Sequence, residues 1–443
     1  HEEGGMHIGI NAQLLSFSQN YRNGGISRYI RYLLTELAKN PGQHTYTIFV
    51  NGPDTAAHLD IHHPQLSFVP ATWPEAKPAA RVAWEQFTLP SLIRQRGIQV
   101  FHSPANVLPE FLPRRCASVV TLHDLAFLRM PEVLTRPKRL YHRTFTVRSL
   151  RRATRIITVS ESTGRDVTEL LGISAQRMTT VYPCVDERFA HSCTEEEIQA
   201  FRARQGLEDG FLLYLGTLEP RKNIPTLLDA YARLRQMTGT RVKLVLAGGK
   251  GWLYDAIFAR VQQLGLEADV LFPGFVSDAE QALWYQAAAT FVYPSLYEGF
   301  GIPVAEALAC GTPVVTSSVS SLPEAGAGLA LTVDPHDVEA LASALQKALS
   351  DPALKERCRN QSPSTRERFS AATMARQTIA VYEQAVTSHV AQRTIPVNEN
   401  NKPLYHPGKE LERSLSRQDG KEDTLFRSGK KLDRARARQD GSE

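Results

Sequence analysis

The feature that most constrains this chain is an alternation of strand and helix patterns that runs through it twice. Short apolar segments suited to strands stand at 7–11, 45–50, 66–69, 100–102, 118–122, 156–159 and 179–181, with helical or loop segments between them. The first helical segment carries Ile26, Tyr29, Ile30, Leu33, Leu34 and Leu37 at the spacing that puts them on one face. A polar, acidic stretch from 186 to 209 interrupts the pattern, and Phe211-Leu212-Leu213-Tyr214-Leu215 restarts it. Further strands are expected at 242–246, 270–272, 290–293 and 314–316, each followed by a Gly- or Pro-containing loop and a helix. Such alternation builds a mostly parallel sheet with helices on both faces, and ligands bind beyond the carboxyl ends of its strands. The expectation is therefore an α/β chain of two sheets joined near residue 190, with a cleft between them.

Length and composition agree with that division. The 443 residues are 42% hydrophobic and 22% charged, which excludes wholesale disorder and fibrous repeats. The domains are expected at 6–188 and 189–370. A helix at 371–390 should cross back to the first domain, and the charged 391–443 tail holds a loose two-copy repeat that cannot bury a core. No run of eighteen apolar residues marks a spanning helix. Residues 1–5 carry no basic-then-apolar leader and read as an extension before a natural start at Met6. The five scattered cysteines form no C-x-x-C pair, which favours a reduced, cytoplasmic protein over a disulfide or zinc framework.

The most informative segment runs from Tyr293 through Glu298-Gly299-Phe300-Gly301-Ile302-Pro303 to Glu306 and Gly311. It reads as strand, Gly-rich loop, short helix and Gly stop, with Pro303 suited to the first helical turn and Gly311 to the position after the last. Backbone N–H groups of Phe300, Gly301 and Ile302 would point out of the helix start, a ready anion site. Glu298 precedes the helix and Glu306 lies about one turn inside it, so the two could accept hydroxyls from opposite ends of one ligand. The alternative is that Glu298 caps the helix and Glu306 faces solvent.

This segment resembles the E-x7-E signature of the retaining, GT-B-fold glycosyltransferases of family 4. Other strings agree in order, among them Gly24-Gly25, Phe101-His102-Ser103-Pro104, Thr121-Leu122-His123-Asp124 and Val159-Ser160-Glu161-Ser162. Val181-Tyr182-Pro183-Cys184-Val185-Asp186 and Gly216-Thr217-Leu218-Glu219-Pro220-Arg221-Lys222-Asn223 complete the series. The last string looks most like the branch that builds bacterial O-antigen and capsule chains, often with mannose. The resemblance implies two Rossmann-like domains facing each other across a cleft. It also implies transfer of a hexose from a nucleotide-diphosphate sugar, GDP-mannose by preference, to a glycan or polyprenyl-linked glycan acceptor.

Carried over, the resemblance makes Lys222, beside Arg221, the cation that neutralises the donor's diphosphate. Gly24 and Gly25 would approach the same phosphates, Glu306 would hold the ribose and Glu298 the transferred sugar. The backbone of Gly299, Phe300, Gly301 and Ile302 would hold sugar and phosphate, His123 would contact the donor sugar near the acceptor, and Gly274 and Phe275 would line the base side. Many relatives carry Arg where this chain has Thr217, so Arg221 stands as its substitute. Neither a metal nor another cofactor is expected, and retention would come from front-face transfer. The readings weighed against this one are a GT-B-like nucleotide-sugar epimerase, a phosphorylase, and a non-catalytic nucleotide-sugar-binding subunit of an assembly complex.

The net charge of +5 is small, but it is locally concentrated. Arg136, Lys138, Arg139, Arg143, Arg148, Arg151, Arg152 and Arg155 follow one another with no acid among them, interleaved with Leu140, Phe145, Val147 and Leu150. Two readings stand: electrostatic docking on an anionic membrane surface, or an ordinary face paired with acids from elsewhere. Nucleic acid is not an expected partner, because no aromatic stacking platform accompanies the charge.

Overall fold

A computed structural model describes residues 4–17, 24–71, 78–249 and 254–394. The expected tail lies outside these residues from 395 onward. Seven strands form the first sheet: β1 His7–Ala12, β2 Thr45–Asn51, β3 Leu66–Ala71, β4 Val100–Ser103, β5 Ala117–Leu122, β6 Arg155–Thr158 and β7 Met178–Thr180. Their order is β3-β2-β1-β4-β5-β6-β7, and every pair is parallel. Six more form the second sheet: β8 Phe211–Leu215, β9 Lys243–Ala247, β10 Val270–Gly274, β11 Thr290–Tyr293, β12 Val314–Ser317 and β13 Leu331–Val333. The order there is β10-β9-β8-β11-β12-β13, again all parallel.

Both sheets are doubly wound, and both reverse direction beside their first strand. The loops after β1 and β4 in one sheet, and after β8 and β11 in the other, therefore open at the two switch points where such sheets hold ligands. Most of the expected donor-site residues sit on or directly after those loops, or on the neighbouring end of β5. Interior strands are covered on both faces, which explains their unbroken apolar runs: Phe211, Leu212, Leu213 and Tyr214 are all fully buried.

Two elements were not expected. The stretch read as an interruption holds a helix, Glu195–Gln205, entered through a capping box in which Thr194 and Glu197 satisfy each other's backbone. Phe201 is its sole buried residue, so it has almost no apolar periodicity to read. β13 is three residues long, with no residue fully buried, and leaves no alternation either.

After the helix Pro352–Arg368, the chain returns to the first sheet in the helix Ala371–Thr394, whose Met374, Val381, Tyr382 and Ala385 join the core of Ile8, Ile10 and Ile30. His102, fully buried at the end of β4, ties that helix down: one ring nitrogen meets Tyr382 Oη at 2.7 Å and the other meets Thr121 Oγ1 at 2.8 Å. Burial, and secondarily the nearby His123, hold its pKa at about 3. Its unfolded value is near 6.5, so between these limits the unfolded chain binds the extra proton and stability falls as pH drops. The expected slope from this residue is about 1.4 kcal/mol per pH unit. Denaturant titrations from pH 7 to 4 should show it, and His102→Gln should flatten it; an equal slope in the variant would assign the pH dependence to other groups.

Candidate functional site

The site begins with two helix starts that carry no capping side chain. The helix Gly25–Lys39 starts after extended Gly24, with no acid in its first turn. The helix Ile302–Ala309 starts after Gly301, which adopts φ 96°. A Cβ at Gly301 would stand 2.7 Å from Leu322 Cδ2, so both conformation and space call for glycine. The N–H groups of Phe300 and Gly301 find no acceptor among the described residues. Both starts line one cavity of about 570 Å³ between the sheets. Unpaired N–H groups and two helix starts thus face the cavity, an arrangement suited to an anionic group.

Beneath these sits a buried ionic cluster. After β8 the chain makes a short 3-10 turn, Pro220–Lys222, and leaves it through Asn223 at φ 61°, whose Nδ2 donates to the carbonyls of Pro294 and Pro335. That anchor sets the loop after β8 against the loop after β11. Lys222 Nζ donates to Glu298 Oε1 at 2.5 Å and to Tyr293 Oη at 2.7 Å. Arg221 reaches Glu298 Oε2 with Nη1 at 3.3 Å and Glu219 Oε1 with Nε at 2.6 Å. Lys222 and Glu298 are only 6% and 7% exposed.

Burial pushes the Glu298 carboxyl up, but Lys222 and Arg221 outweigh it and hold the pKa at about 2. The charge of Glu298 holds Arg221 firmly protonated. Burial lowers the Lys222 ammonium, and Glu298 opposes the shift. Two acids and two cations cancel, so the cluster alone does not neutralise a diphosphate. Arg28, which also lines the cavity, is itself paired with Asp278.

Glu306 is buried as well and accepts a 2.7 Å hydrogen bond from Tyr285 Oη. Burial raises its pKa, against the pull of that bond and of Arg188 and Arg28. Neither carboxylate thus fits the alternative in which Glu298 caps a helix and Glu306 faces solvent. His123 is neutral for the same reason: burial lowers it, although Nε2 meets the Pro104 carbonyl at 2.6 Å. That contact puts the proton on Nε2 and leaves Nδ1 as an acceptor. Tyr29 packs edge-on against the ring, and Asn106 Oδ1 takes the His123 backbone N–H.

The two halves meet at a main-chain seam. A Cβ on Gly299 would lie 1.8 Å from the carbonyl oxygen of His123, so no other residue permits this approach. Around the seam, Thr163 Oγ1 donates to the Gly299 carbonyl. Tyr297 Oη donates to Asp166 and accepts from the Leu125 N–H. Glu324 accepts from the N–H groups of Glu161 and Ser162, both at 2.8 Å, at the start of the helix Glu161–Leu171.

Of the residues expected from the sequence, Gly24, Gly25 and His123 line the cavity from the first half. Arg221, Lys222, Glu298, Gly299, Phe300, Gly301, Ile302 and Glu306 line it from the second, and so does Thr217. Gly274 and Phe275 do not. Gly274 ends β10, where its carbonyl is taken by Gly248 N–H, and Phe275 is 77% exposed. That loop reaches the rim instead through Asp278, which pairs with Arg28 at 2.7 Å, and through Gln281. Arg28 was missed, and its one signal is position: a cation in the first turn after Gly24-Gly25.

The basic stretch lies apart from the cavity and is partly spent. Arg148 and Arg152 both pair with Glu110, some forty residues earlier, and Arg155 bonds Gln176, Thr179 and Gln384. For these three, pairing with partners from elsewhere is the outcome. Arg136, Lys138 and Arg151 remain exposed, Arg139 and Arg143 half-buried.

Comparisons with known proteins place these features. Residues 23–189 match the model of Glycosyltransferase Family 4, and residues 180–365 match that of Glycosyl transferases group 1. The O-antigen chain mannosyltransferase B of Escherichia coli is 34% identical over 284 residues, which are 64% of this chain and 74% of that one. The serotype-specific mannosyltransferase WbdA of the same species is 32% identical over 240 residues, 54% of this chain. The match spans only 29% of WbdA's length. Among solved structures, Anabaena Alr3699/HepE in complex with UDP and glucose superimposes with a TM-score of 0.61 at 19% identity, covering 86% of this chain and all of that one. WaaG, a glycosyltransferase involved in lipopolysaccharide biosynthesis, gives 0.61 at 16% identity, covering 85% and 99%. Both share the GT-B arrangement of two facing Rossmann-like domains.

The seam is open to test. Gly299→Ala should push the halves apart, raising the radius of gyration in small-angle scattering while the circular dichroism stays that of the parent. A scattering curve identical to the parent's would show that the seam yields to a methyl group.

Proposed function

The chain belongs to the family 4 glycosyltransferases, and from that premise we propose that it transfers mannose from GDP-mannose to a glycan or lipid-linked glycan in surface polysaccharide synthesis. Transfer retains the anomeric configuration and needs no divalent metal. The observation that carries this reading is the buried Arg221–Glu298–Lys222 cluster beneath two uncapped helix starts in one cleft. Mannose, and O-antigen as the product class, rest on the names of the Escherichia coli relatives.

In the reaction the bond between the anomeric carbon and the diphosphate oxygen breaks, and the acceptor oxygen bonds the same face of that carbon. The acceptor's proton passes to the departing phosphate oxygen. Charge grows on that oxygen as the bond opens, and Lys222, Arg221 and the N–H groups at Phe300 and Gly301 are fixed where it appears. Preorganised donors of this kind favour the transition state over the bound donor. Glu298 holds both cations in place and offers its remaining lone pairs to the sugar hydroxyls, Glu306 takes the ribose, and His123 offers Nδ1 beside the acceptor. A non-catalytic binding subunit has no use for so costly a buried cluster.

The acceptor side carries a second part of the proposal, docking on an anionic membrane surface. Among the described residues no helix is long and apolar enough to cross a membrane. Phe87, Phe111 and Leu140 are nonetheless 71%, 64% and 68% exposed. They stand on neighbouring elements of the first half. Gln86 bonds the Glu110 backbone, and Glu110 holds Arg148 from the helical stretch that includes Leu140. Exposed Arg136 stands one helical turn before Leu140, so a cation and an apolar anchor share this face.

Three measurements test the proposal. Purified protein should turn over GDP-mannose, product NMR should show the retained anomer, and chelator should leave the rate unchanged; an inverted product or a dead chelated enzyme contradicts the mechanism. Lys222→Ala and Glu298→Ala should each cut turnover by about 100- to 1,000-fold, the scale of losing one preorganised donor. Glu306→Ala should mainly raise the donor KM, and unchanged kinetics in all three would remove the site assignment. The protein should co-sediment with vesicles containing anionic lipid but not with zwitterionic ones, and Phe87→Ser with Leu140→Ser should release it. Equal recovery with both vesicle types would leave this face as ordinary surface.

A further inference from the structure

Outside the cleft, the segment joining the two sheets brings three chemically different donors together. The imidazole of His191, the thiol of Cys193 and the carboxylate of Glu197 each place a ligand atom within 4.8 Å of the others. Among the described residues no other group of three His, Cys, Asp or Glu side chains converges this way. From this geometry we infer a binding site for a divalent transition metal, zinc by its donor set, separate from the sugar-transfer centre and independent of it.

The backbone that carries the donors is already held. Gln286 grips the loop from both sides, its Nε2 donating to the His191 carbonyl at 2.6 Å and its Oε1 accepting from the Cys193 N–H at 2.8 Å. One residue on, the capping box fixes Glu197: its N–H goes to Thr194 Oγ1, and its Oε2 accepts the Thr194 N–H at 2.7 Å. That leaves Oε1 for a ligand, since the side-chain bond Glu197 makes to the Thr194 N–H uses Oε2. Nitrogen, sulfur and oxygen from one residue each suit zinc, which takes all three at about 2.0–2.3 Å. In a tetrahedral site such donors stand about 3.4 Å apart. Closing from at most 4.8 Å needs at most about 1.4 Å of side-chain movement. His191 and Glu197 are exposed and Cys193 half-buried, so rotamer changes supply it and the fourth position stays open to water.

The bound ion clips residues 191 to 197 into one closed loop at the entrance to the second half. Because a metal that binds only the folded chain stabilises it by mass action, zinc should raise the melting temperature. Cobalt(II) is the informative probe, since a bound thiolate adds a sulfur-to-cobalt charge-transfer band.

Chelator-stripped full-length protein titrated with cobalt chloride should bind one ion with that band, and zinc should displace it. Cys193→Ser should abolish the band, and His191→Ala should weaken binding by at least about tenfold. Glu197→Gln should weaken it similarly while keeping the capping box, because glutamine also serves at that position, so loss there is not a folding defect. Cys310, which lines the same surface pocket, is the control. A band that survives Cys193→Ser and vanishes in Cys310→Ser overturns the assignment, as does wild-type protein that shows no thiolate band.

Discussion

One carboxylate shared by two cations organises this molecule. Glu298 lies in the loop after one switch-point strand, Lys222 and Arg221 in the loop after the other, and their bonds join those loops, which follow β11 and β8. The arrangement is expensive, since each buried ion loses its hydration and only close pairing restores the balance. It is kept where a still stronger electrostatic demand arrives with the ligand. The neighbouring elements follow from that need: Asn223 in a left-handed turn to aim the two cations, and Tyr293 to accept a hydrogen bond from Lys222. Positive helix starts meet from both sheets above them. The second half's loops thus bring the charges and a helix start, and the first half brings the opposing wall with a second.

Much of this was legible in the chain. Strands at 211–215 and 290–293 match the expectation to the residue, because interior parallel strands are apolar throughout and end abruptly at glycine or proline. The E-x7-E spacing and its Gly/Pro frame located Glu298 and Glu306 in one cleft. Their surroundings were not legible. That Glu298 is tied to Lys222 depends on tertiary closure across 76 residues, and that Tyr285 holds Glu306 depends on packing between helices. The resemblance put Gly274 and Phe275 on the base side of the donor, and they lie outside the cavity lining. β10 is the edge strand of its sheet, farthest from the switch point on that side. The basic run shows the same limit, since a stretch free of acids says nothing about Glu110 folding back onto it.

All five cysteines are free thiols, and a reading that looked for C-x-x-C pairs passed over something smaller. A histidine, a cysteine and a glutamate within seven residues form no familiar spacing. They converge because a capping box and one glutamine clamp bend the chain between the domains. Local polar bonds, not apolar pattern, shape that junction, which is also why its helix escaped notice. The return helix is the opposite case: its apolar face was visible, but the buried His102 that pins it is a polar contact between residues 280 positions apart.

The seam at Gly299 has a consequence for how this cleft can change. Where domains touch through side chains, a substitution of modest size retunes the gap between them. Here a carbonyl oxygen occupies the place of the missing Cβ, so at this point the approach is set by main chain and offers no graded adjustment. New acceptor or donor preferences must therefore arise from the walls, from residues such as Asn106, Arg28 or Gln281, while the hinge line stays constant. A library meant to redirect this enzyme should leave residues 298–301 alone and diversify the rim.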